Sequence, residues 1–114
     1  MLWKKVEELD PWEVQDKTEN SDPNSVIIDV RELSEFVGDM GHIPGAINIP
    51  ASEFTGRIDE IRNKSGYGII LVCHTGDRSY AICRYLMDQG FQKVSHIRGG
   101  MVQWHLSGLE VKYE

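Results

Sequence analysis

The segment with the clearest chemistry is a cysteine that follows an apolar run and precedes a short polar loop. Cys73 comes directly after the apolar residues 69–72, Gly76 and Arg78 follow in the loop, and Ser79 opens a segment with a helical pattern. A strand that ends in a loop at the start of a helix aims main-chain N–H groups and the positive end of the helix dipole at such a sulfur. These surroundings favour a thiolate, which is the nucleophilic form of cysteine.

The elements that must position this loop alternate between strand and helix along the chain. The apolar runs predict strands at residues 4–6, 26–30, 46–49, 68–72 and 94–97. Helical patterns and capping residues predict helices at residues 11–17, 32–36, 52–62, 79–89 and 101–106. The strands are apolar on both faces, which is typical of a parallel sheet that helices cover on both sides. We therefore expect one α/β domain over residues 1–114, with a central parallel sheet of about five strands.

Three marked sequences stand at the ends of predicted strands. They are Asp29-Val-Arg31, Cys73 with its loop, and Arg98-Gly-Gly100. In open parallel sheets the carboxyl ends of the strands meet at one edge, and ligands bind there. The sequence therefore predicts a site at this edge, built around Cys73.

Composition excludes several classes of function. The formal net charge is −6, so we expect neither nucleic acid nor a membrane surface as a partner. Two cysteines are too few for a disulfide framework, and the four histidines show no metal-ligand spacing. No apolar run is long enough to span a bilayer, and the first residues lack the apolar core of a secretory signal. We expect a cytoplasmic, reducing location, with no metal and no cofactor.

Four motifs in order resemble those of single-domain rhodaneses, a family of sulfurtransferases. The chain has an Asp-x-Arg element at Asp29, a Gly-His-Ile-Pro-Gly-Ala signature at 41–46 and a Cys-x-x-Gly-x-Arg-Ser loop at Cys73. A Gly-Gly-x-x-x-Trp element follows at 99–104. The resemblance covers nearly the whole chain. It implies a parallel α/β sheet and transfer of sulfur through a persulfide on the cysteine.

The site predicted from these patterns has one nucleophile, an anion-binding loop and a supporting frame. Cys73 is the expected nucleophile. Small anionic sulfur donors such as thiosulfate are the expected substrates, and a thiol, a protein or cyanide is the expected acceptor. The loop residues expected to bind substrate are His74, Thr75, Gly76, Asp77, Arg78 and Ser79, and the supporting residues are Asp29, Arg31 and His42.

Two residues near the loop have alternative interpretations. The planar guanidinium of Arg78 suits an oxyanion, but it could also brace the loop by pairing with a carboxylate. Cys83 lies in an apolar stretch of the predicted helix, so we expect it to pack as a small hydrophobe. Its alternative role is a resolving thiol, which requires Cα atoms of the two cysteines within about 7 Å.

The supporting residues are expected to hold the frame rather than to react. For Arg31 we expect a pairing with Glu35 or another nearby acid, which would brace the end of the strand. His42 lies in a predicted turn and is expected to organise that turn through hydrogen bonds.

Three function classes fit a cysteine and an arginine around an anion loop. Sulfur transfer is the leading hypothesis, and its non-catalytic alternative is a persulfide carrier or regulatory module that acts on a protein partner. Cysteine phosphatases use a loop one residue longer than the four residues between Cys73 and Arg78. Asp77 inside the loop would also repel a phosphate dianion, so the sequence disfavours phosphatase activity. His74 and Asp77 depart from the basic loops of many thiosulfate-using relatives, which leaves the physiological donor open.

Overall fold

A single parallel sheet forms the centre of the molecule in the computed structural model, which describes residues 5–20 and 22–114. Its strands are β1 (Glu7–Leu9), β2 (Ser25–Asp29), β3 (Ile47–Asn48), β4 (Gly68–Val72) and β5 (Val94–Ile97). They lie in the order β1-β5-β4-β2-β3, and each neighbouring pair is parallel. The predicted α/β fold with a parallel sheet of five strands is confirmed.

Helices cover both faces of this sheet. The α-helices are α1 (Pro11–Glu19), α2 (Leu33–Phe36), α3 (Asp77–Asp88) and α4 (Gly100–Leu106), and two 3-10 helices span Ala51–Glu53 and Thr55–Lys64. None of the helices within the described ranges is long and apolar enough to cross a membrane.

The alternation of side chains along β4 divides the core into two layers. Ile69 and Leu71 face the layer that contains the buried residues of α3 and of the second 3-10 helix. Ile70 and Val72 face the opposite layer, which contains Trp104 of α4. Because successive side chains of a strand point to opposite faces, Cys73 falls on the α3 face directly after β4. The alternation of side chains along the strand thus places the Cys73 sulfur on the face of the sheet that α3 covers.

Three predicted elements differ from the observed ones. The first strand is β1 at Glu7–Leu9 rather than residues 4–6, because its position is set by pairing with residues 95–97 of β5; Lys4 lies outside the described residues. The helix expected at 52–62 is two 3-10 segments over 51–64. The helix after the cysteine begins at Asp77 instead of Ser79, so part of the predicted loop is its first turn.

Candidate active site

The Cys73 sulfur lies among hydrogen-bond donors at the start of α3. The main-chain N–H of Gly76 is 3.1 Å from Sγ, and that of Ser79 is 3.4 Å away. The hydroxyl oxygen of Ser79 lies 3.3 Å from the same sulfur. Cys73 is only 1% exposed, so this sulfur forms the floor of the loop. Main-chain donors converging on a sulfur at a helix start stabilise an anion there, whether a thiolate or a sulfur leaving group.

Gly76 makes the convergence of these amides possible. It is the N-cap of α3 and has a φ of +123°, in the region that side-chain-bearing residues rarely adopt. This conformation turns the chain from the cysteine into the helix within three residues. The glycine three residues after the cysteine is therefore explained by the backbone angle that this position requires.

The start of α4 holds the other side of the loop. The N–H groups of Met101 and Val102 donate to the carbonyl oxygens of Cys73 and His74, at 2.8 Å and 3.1 Å. A Cβ atom at Gly100 would lie 2.4 Å from the Cys73 carbonyl oxygen, a distance that no side chain can occupy. The Gly-Gly element thus serves the active-site loop, because only glycine lets α4 approach the loop backbone this closely.

Arg78 forms an ion pair with Glu35 of α2. Its two terminal nitrogens lie 2.7 Å and 3.1 Å from the two carboxylate oxygens. The hydrogen bonds from Arg78 lower the pKa of Glu35 to about 2. Both side chains are partly exposed, at 38% for Arg78 and 34% for Glu35. This is the contact expected if Arg78 braces the loop, and a role in binding a donor stays a prediction.

Asp29 and Arg31 form a second, buried pair at the end of β2. The Arg31 Nη2 atom is 2.8 Å from Asp29 Oδ2 and also donates to the carbonyl oxygen of Gly41 at 2.7 Å. The expected pairing of Arg31 with Glu35 is wrong, because Glu35 turns to Arg78; the alternative of another nearby acid is the observed one. The pair ties the end of β2 to the carbonyl oxygen of Gly41, and its supporting role stays a prediction.

His42 lies shortly after the turn that follows α2. Its Nδ1 atom is 2.8 Å from the carbonyl oxygen of Phe36, and its ring stacks on the Phe36 ring with centroids 3.8 Å apart. Its main chain pairs with Lys112 in an isolated antiparallel bridge. His42 thus makes hydrogen bonds to Phe36 and to Lys112, and its role as organiser of the site stays a prediction.

The remaining predicted loop residues lie at the surface. His74, Thr75 and Asp77 are exposed, so they line the outside of the loop, with Asp77 in the first turn of α3. Their roles in binding a donor stay predictions. Two surface clefts of about 400 and 420 Å³ open at the amino ends of the strands, and no residue of the active-site loop lines either.

Cys83 is buried in the core on the inner side of α3. Burial, followed by the nearby charge of Cys73, raises the pKa of Cys83 to about 12. Such a thiol stays protonated at neutral pH, which agrees with the expected packing role. Both cysteines are free.

Sequence reasoning missed His96, which lies beneath the loop on β5. Its ring is 4% exposed, and its Nδ1 atom is 2.9 Å from the Ser79 hydroxyl oxygen. The motif patterns gave no signal for it, because a lone histidine in a strand has no characteristic spacing. Its position in the strand could have indicated its location: His96 is two residues from Val94, so the two side chains share the face of the sheet that α3 covers.

Comparison with known proteins agrees with this arrangement. The family model described as a Rhodanese-like domain matches residues 11–107. The chain belongs to the rhodanese-like family. The predicted resemblance is thereby confirmed.

Among its rhodanese-like relatives, a chain of Bacillus subtilis, YrkF, is provisionally named a sulfur carrier protein. It is 38% identical over 85 residues, which are 75% of this chain and 44% of YrkF. A protein of Allochromatium vinosum named sulfurtransferase is 34% identical over 86 residues, covering 75% of this chain and 77% of that protein. The chain thus spans less than half of YrkF and most of the Allochromatium protein.

A crystal structure of a rhodanese-like domain protein from Staphylococcus aureus superimposes with a TM-score of 0.78. It is 30% identical, and the match covers 94% of this chain and 99% of that one. The shared architecture therefore extends over nearly the full length of both chains.

Proposed function

We propose that this protein is a sulfurtransferase that carries a sulfane sulfur as a persulfide on Cys73. The observation that carries the proposal is the pair of main-chain N–H groups, at 3.1 and 3.4 Å, that point at the Cys73 sulfur. Family membership and the names of the two relatives support the same chemistry. Neither a metal nor an organic cofactor is needed for the exchange of sulfur between thiolates.

The reaction is a double displacement. The Cys73 thiolate attacks the outer sulfur of thiosulfate, the bond from that sulfur to the sulfonate sulfur breaks, and sulfite leaves with the electron pair. An acceptor thiolate or cyanide then attacks the terminal sulfur of the persulfide and releases the Cys73 thiolate. The amides of Gly76 and Ser79 stabilise the anionic sulfur at the start and end of each cycle.

The loop geometry supports sulfur over phosphorus. The last of the four residues between Cys73 and Arg78, Asp77, is already the first residue of α3, which leaves a short open loop. The exposed carboxylate of Asp77 adds negative charge there. A phosphate dianion needs more donors and less negative charge than this loop offers.

A persulfide carrier is the second candidate, and the exposed surface beside the loop favours it. Leu33 of α2 and Val37, which directly follows α2, are 60% and 48% exposed, and Tyr80 on α3 is 50% exposed. Each lies two residues from Glu35 or Arg78 along the chain, and exposed apolar side chains there suit a protein partner better than they suit thiosulfate. Carrier and enzyme share the Cys73 persulfide and differ only in the acceptor.

Mass spectrometry of the intact protein after incubation with thiosulfate tests the proposal. We expect the gain of one sulfur atom, located on Cys73 by peptide mapping. Cys83→Ser is the matched control and should gain the sulfur normally, while Cys73→Ser should gain none and keep its fold. A persulfide on Cys83, or an unmodified protein with every sulfane donor tried, would overturn the proposal.

Release of the sulfur separates enzyme from carrier. The persulfidated protein is mixed with cyanide or with a small thiol, and the loss of sulfur is followed over time. Multiple turnovers with excess thiosulfate identify an enzyme acting on small acceptors. A persulfide that forms fully but passes slowly to small acceptors identifies a carrier.

A further inference from the structure

Three buried side chains, Cys73, Ser79 and His96, form a continuous path from the active-site sulfur to strand β5. The Ser79 hydroxyl oxygen is 3.3 Å from Cys73 Sγ and 2.9 Å from His96 Nδ1. Ser79 is fully buried, and His96 is 4% exposed. The histidine ring lies directly under the loop, since a Cβ at Gly76 would be 3.8 Å from His96 Cε1. A buried hydroxyl between a thiol and an imidazole can pass a proton from one to the other, because it both donates and accepts hydrogen bonds.

The single proton of the Ser79 hydroxyl makes this path directional. Its oxygen also lies 3.1 Å from the carbonyl oxygen of Gly76, so three acceptors compete for one proton. When Cys73 is a thiol, the S–H can donate to Ser79, and the hydroxyl can donate to His96 Nδ1. When Cys73 is a thiolate, the hydroxyl donates to the sulfur and accepts from a protonated Nδ1. The two protonation states of Cys73 thus require opposite protonation of Nδ1.

The far nitrogen of the imidazole faces an acid. His96 Nε2 is 3.3 Å from Glu8 Oε2, at ion-pair distance, and makes no hydrogen bond with the described residues. Glu8 on β1 also pairs with Arg98, whose Nη1 is 3.2 Å from its other oxygen. A carboxylate beside Nε2 stabilises an imidazolium, because the negative charge of Glu8 attracts the positive charge of the ring.

The charged and titratable groups around His96 come from each element packed against it. Glu8 lies on β1, Arg98 directly follows β5, and the rings of His96 and Tyr80 of α3 meet edge to face at 6.0 Å. Burial lowers the pKa of His96, with Glu8 opposing this and Arg98 adding to it. The lowered pKa favours the neutral imidazole, and its Nδ1 atom lies within hydrogen-bond distance of the Ser79 hydroxyl.

We propose that His96 is a positioning residue that takes up the Cys73 proton through Ser79. In this step the thiol proton passes to Ser79 Oγ while the Ser79 proton passes to His96 Nδ1. The products are a thiolate and an imidazolium, and no other reactant is consumed. The inference rests on the proposed function only in taking Cys73 as the nucleophile.

The pH profile of alkylation measures the first consequence. Iodoacetamide rates at Cys73 are followed by peptide mapping in the wild type, His96→Gln and Ser79→Ala. Both variants should shift the profile upward by about one pH unit, which is about tenfold slower alkylation at neutral pH. The double variant should match the single ones, because both break one path. His105→Gln and Ser95→Ala are the matched controls and should keep the wild-type profile.

Reciprocal titration measures the second consequence and leaves His96 in place. The ring protons of His96 are followed by NMR against pH in the wild type and in Cys73→Ala. A thiolate two hydrogen bonds away favours the imidazolium, so His96 should hold its proton to higher pH in the wild type. The same midpoint in both proteins would overturn the proposal, as would an unshifted alkylation profile in His96→Gln. A merely structural His96 gives no reciprocal shift.

These measurements can refute the proton path without refuting the proposed sulfur transfer, and the reverse also holds. If His96 and Cys73 titrate together but thiosulfate leaves no persulfide, the proton path stands and the sulfur donor is wrong. If the persulfide forms but the titrations are independent, sulfur transfer stands and the proton path is refuted.

Discussion

Two arginine–carboxylate pairs with similar N–O distances differ in their surroundings. Asp29 and Arg31 meet at 2.8 Å with side-chain exposures of 0% and 1%. Glu35 and Arg78 meet at 2.7 Å with exposures of 34% and 38%. The buried pair cannot exchange its partner for a solute, whereas the partly exposed pair can. The exposed fraction of the side chains therefore distinguishes a structural ion pair from one that a substrate can reach.

Breaking the buried pair should have the largest effect. Asp29→Ala leaves the Arg31 guanidinium buried without its counter-charge, so we expect unfolding to become easier by about 3–5 kcal/mol. Urea denaturation measures this loss. Asp59→Ala is the matched control, since Asp59 pairs with Arg62 at 92% exposure and its loss should be nearly silent. A loss for Asp29→Ala no larger than that control would remove the distinction between the two pairs.

Changing Arg78 should affect activity more than stability. Arg78→Ala should lower kcat/KM for thiosulfate about ten- to a hundredfold, the effect of losing one charge-assisted contact of roughly 1.5–3 kcal/mol. Arg78→Lys should fall between, because a point charge cannot make two parallel hydrogen bonds. Steady-state kinetics with thiosulfate and with a neutral persulfide donor measure the effect. An equal loss for both donors, with a lower Tm, would assign Arg78 to bracing alone.

Removing the charge of Glu35 tests the partly exposed pair through its other member. Glu35→Gln should cost at most about 1 kcal/mol of unfolding free energy, a value that salt should reduce further. If Arg78 binds the donor, this variant should keep or lower the KM for thiosulfate. A rise in KM equal to that of Arg78→Ala would mean that the pair acts only as a unit. Urea melts at two salt concentrations, together with the kinetics, give both readouts.

The smallest expected effect is a dependence on pH. Arg78 lowers the pKa of Glu35 from its ordinary value of 4.5 to about 2. The pair therefore stabilises the fold fully above about pH 4.5, and its contribution disappears as the pH falls through 2. The difference in urea midpoint between the wild type and Glu35→Gln should be constant from neutral pH down to this window and close within it. A difference that closed well above this window would contradict the lowered pKa.

The sequence was sufficient for the parts of the fold that local pattern controls. The strand into Cys73, the loop glycine and the helix after it follow from an apolar run, a special backbone angle and a helical pattern. The 3-10 helices over 51–64 were expected as one helix, because the choice between the two hydrogen-bond patterns depends on packing. The position of β1 depends on β5, far along the chain.

For the site, the sequence identified the residue types but not all of their partners. Arg31 was expected to pair with Glu35 or another nearby acid, and Glu35 pairs with Arg78 instead. Arg31 has Asp29 two residues away, and only the three-dimensional turn at the strand end decides between the two acids. His96 was missed because a proton path through Ser79 joins a strand and a helix that no linear motif connects.

The pairing of β1 with β5 has a consequence for how the molecule folds. Within the described residues β1 takes its strand hydrogen bonds from β5 alone, so the first strand is completed only after the last one is in place. Such a long loop closure is slow and comes late in folding. In a pulsed hydrogen-exchange experiment the amides of Glu7–Leu9 should gain protection no earlier than those of β5. The contact between Glu8 and His96 would then be among the last to form.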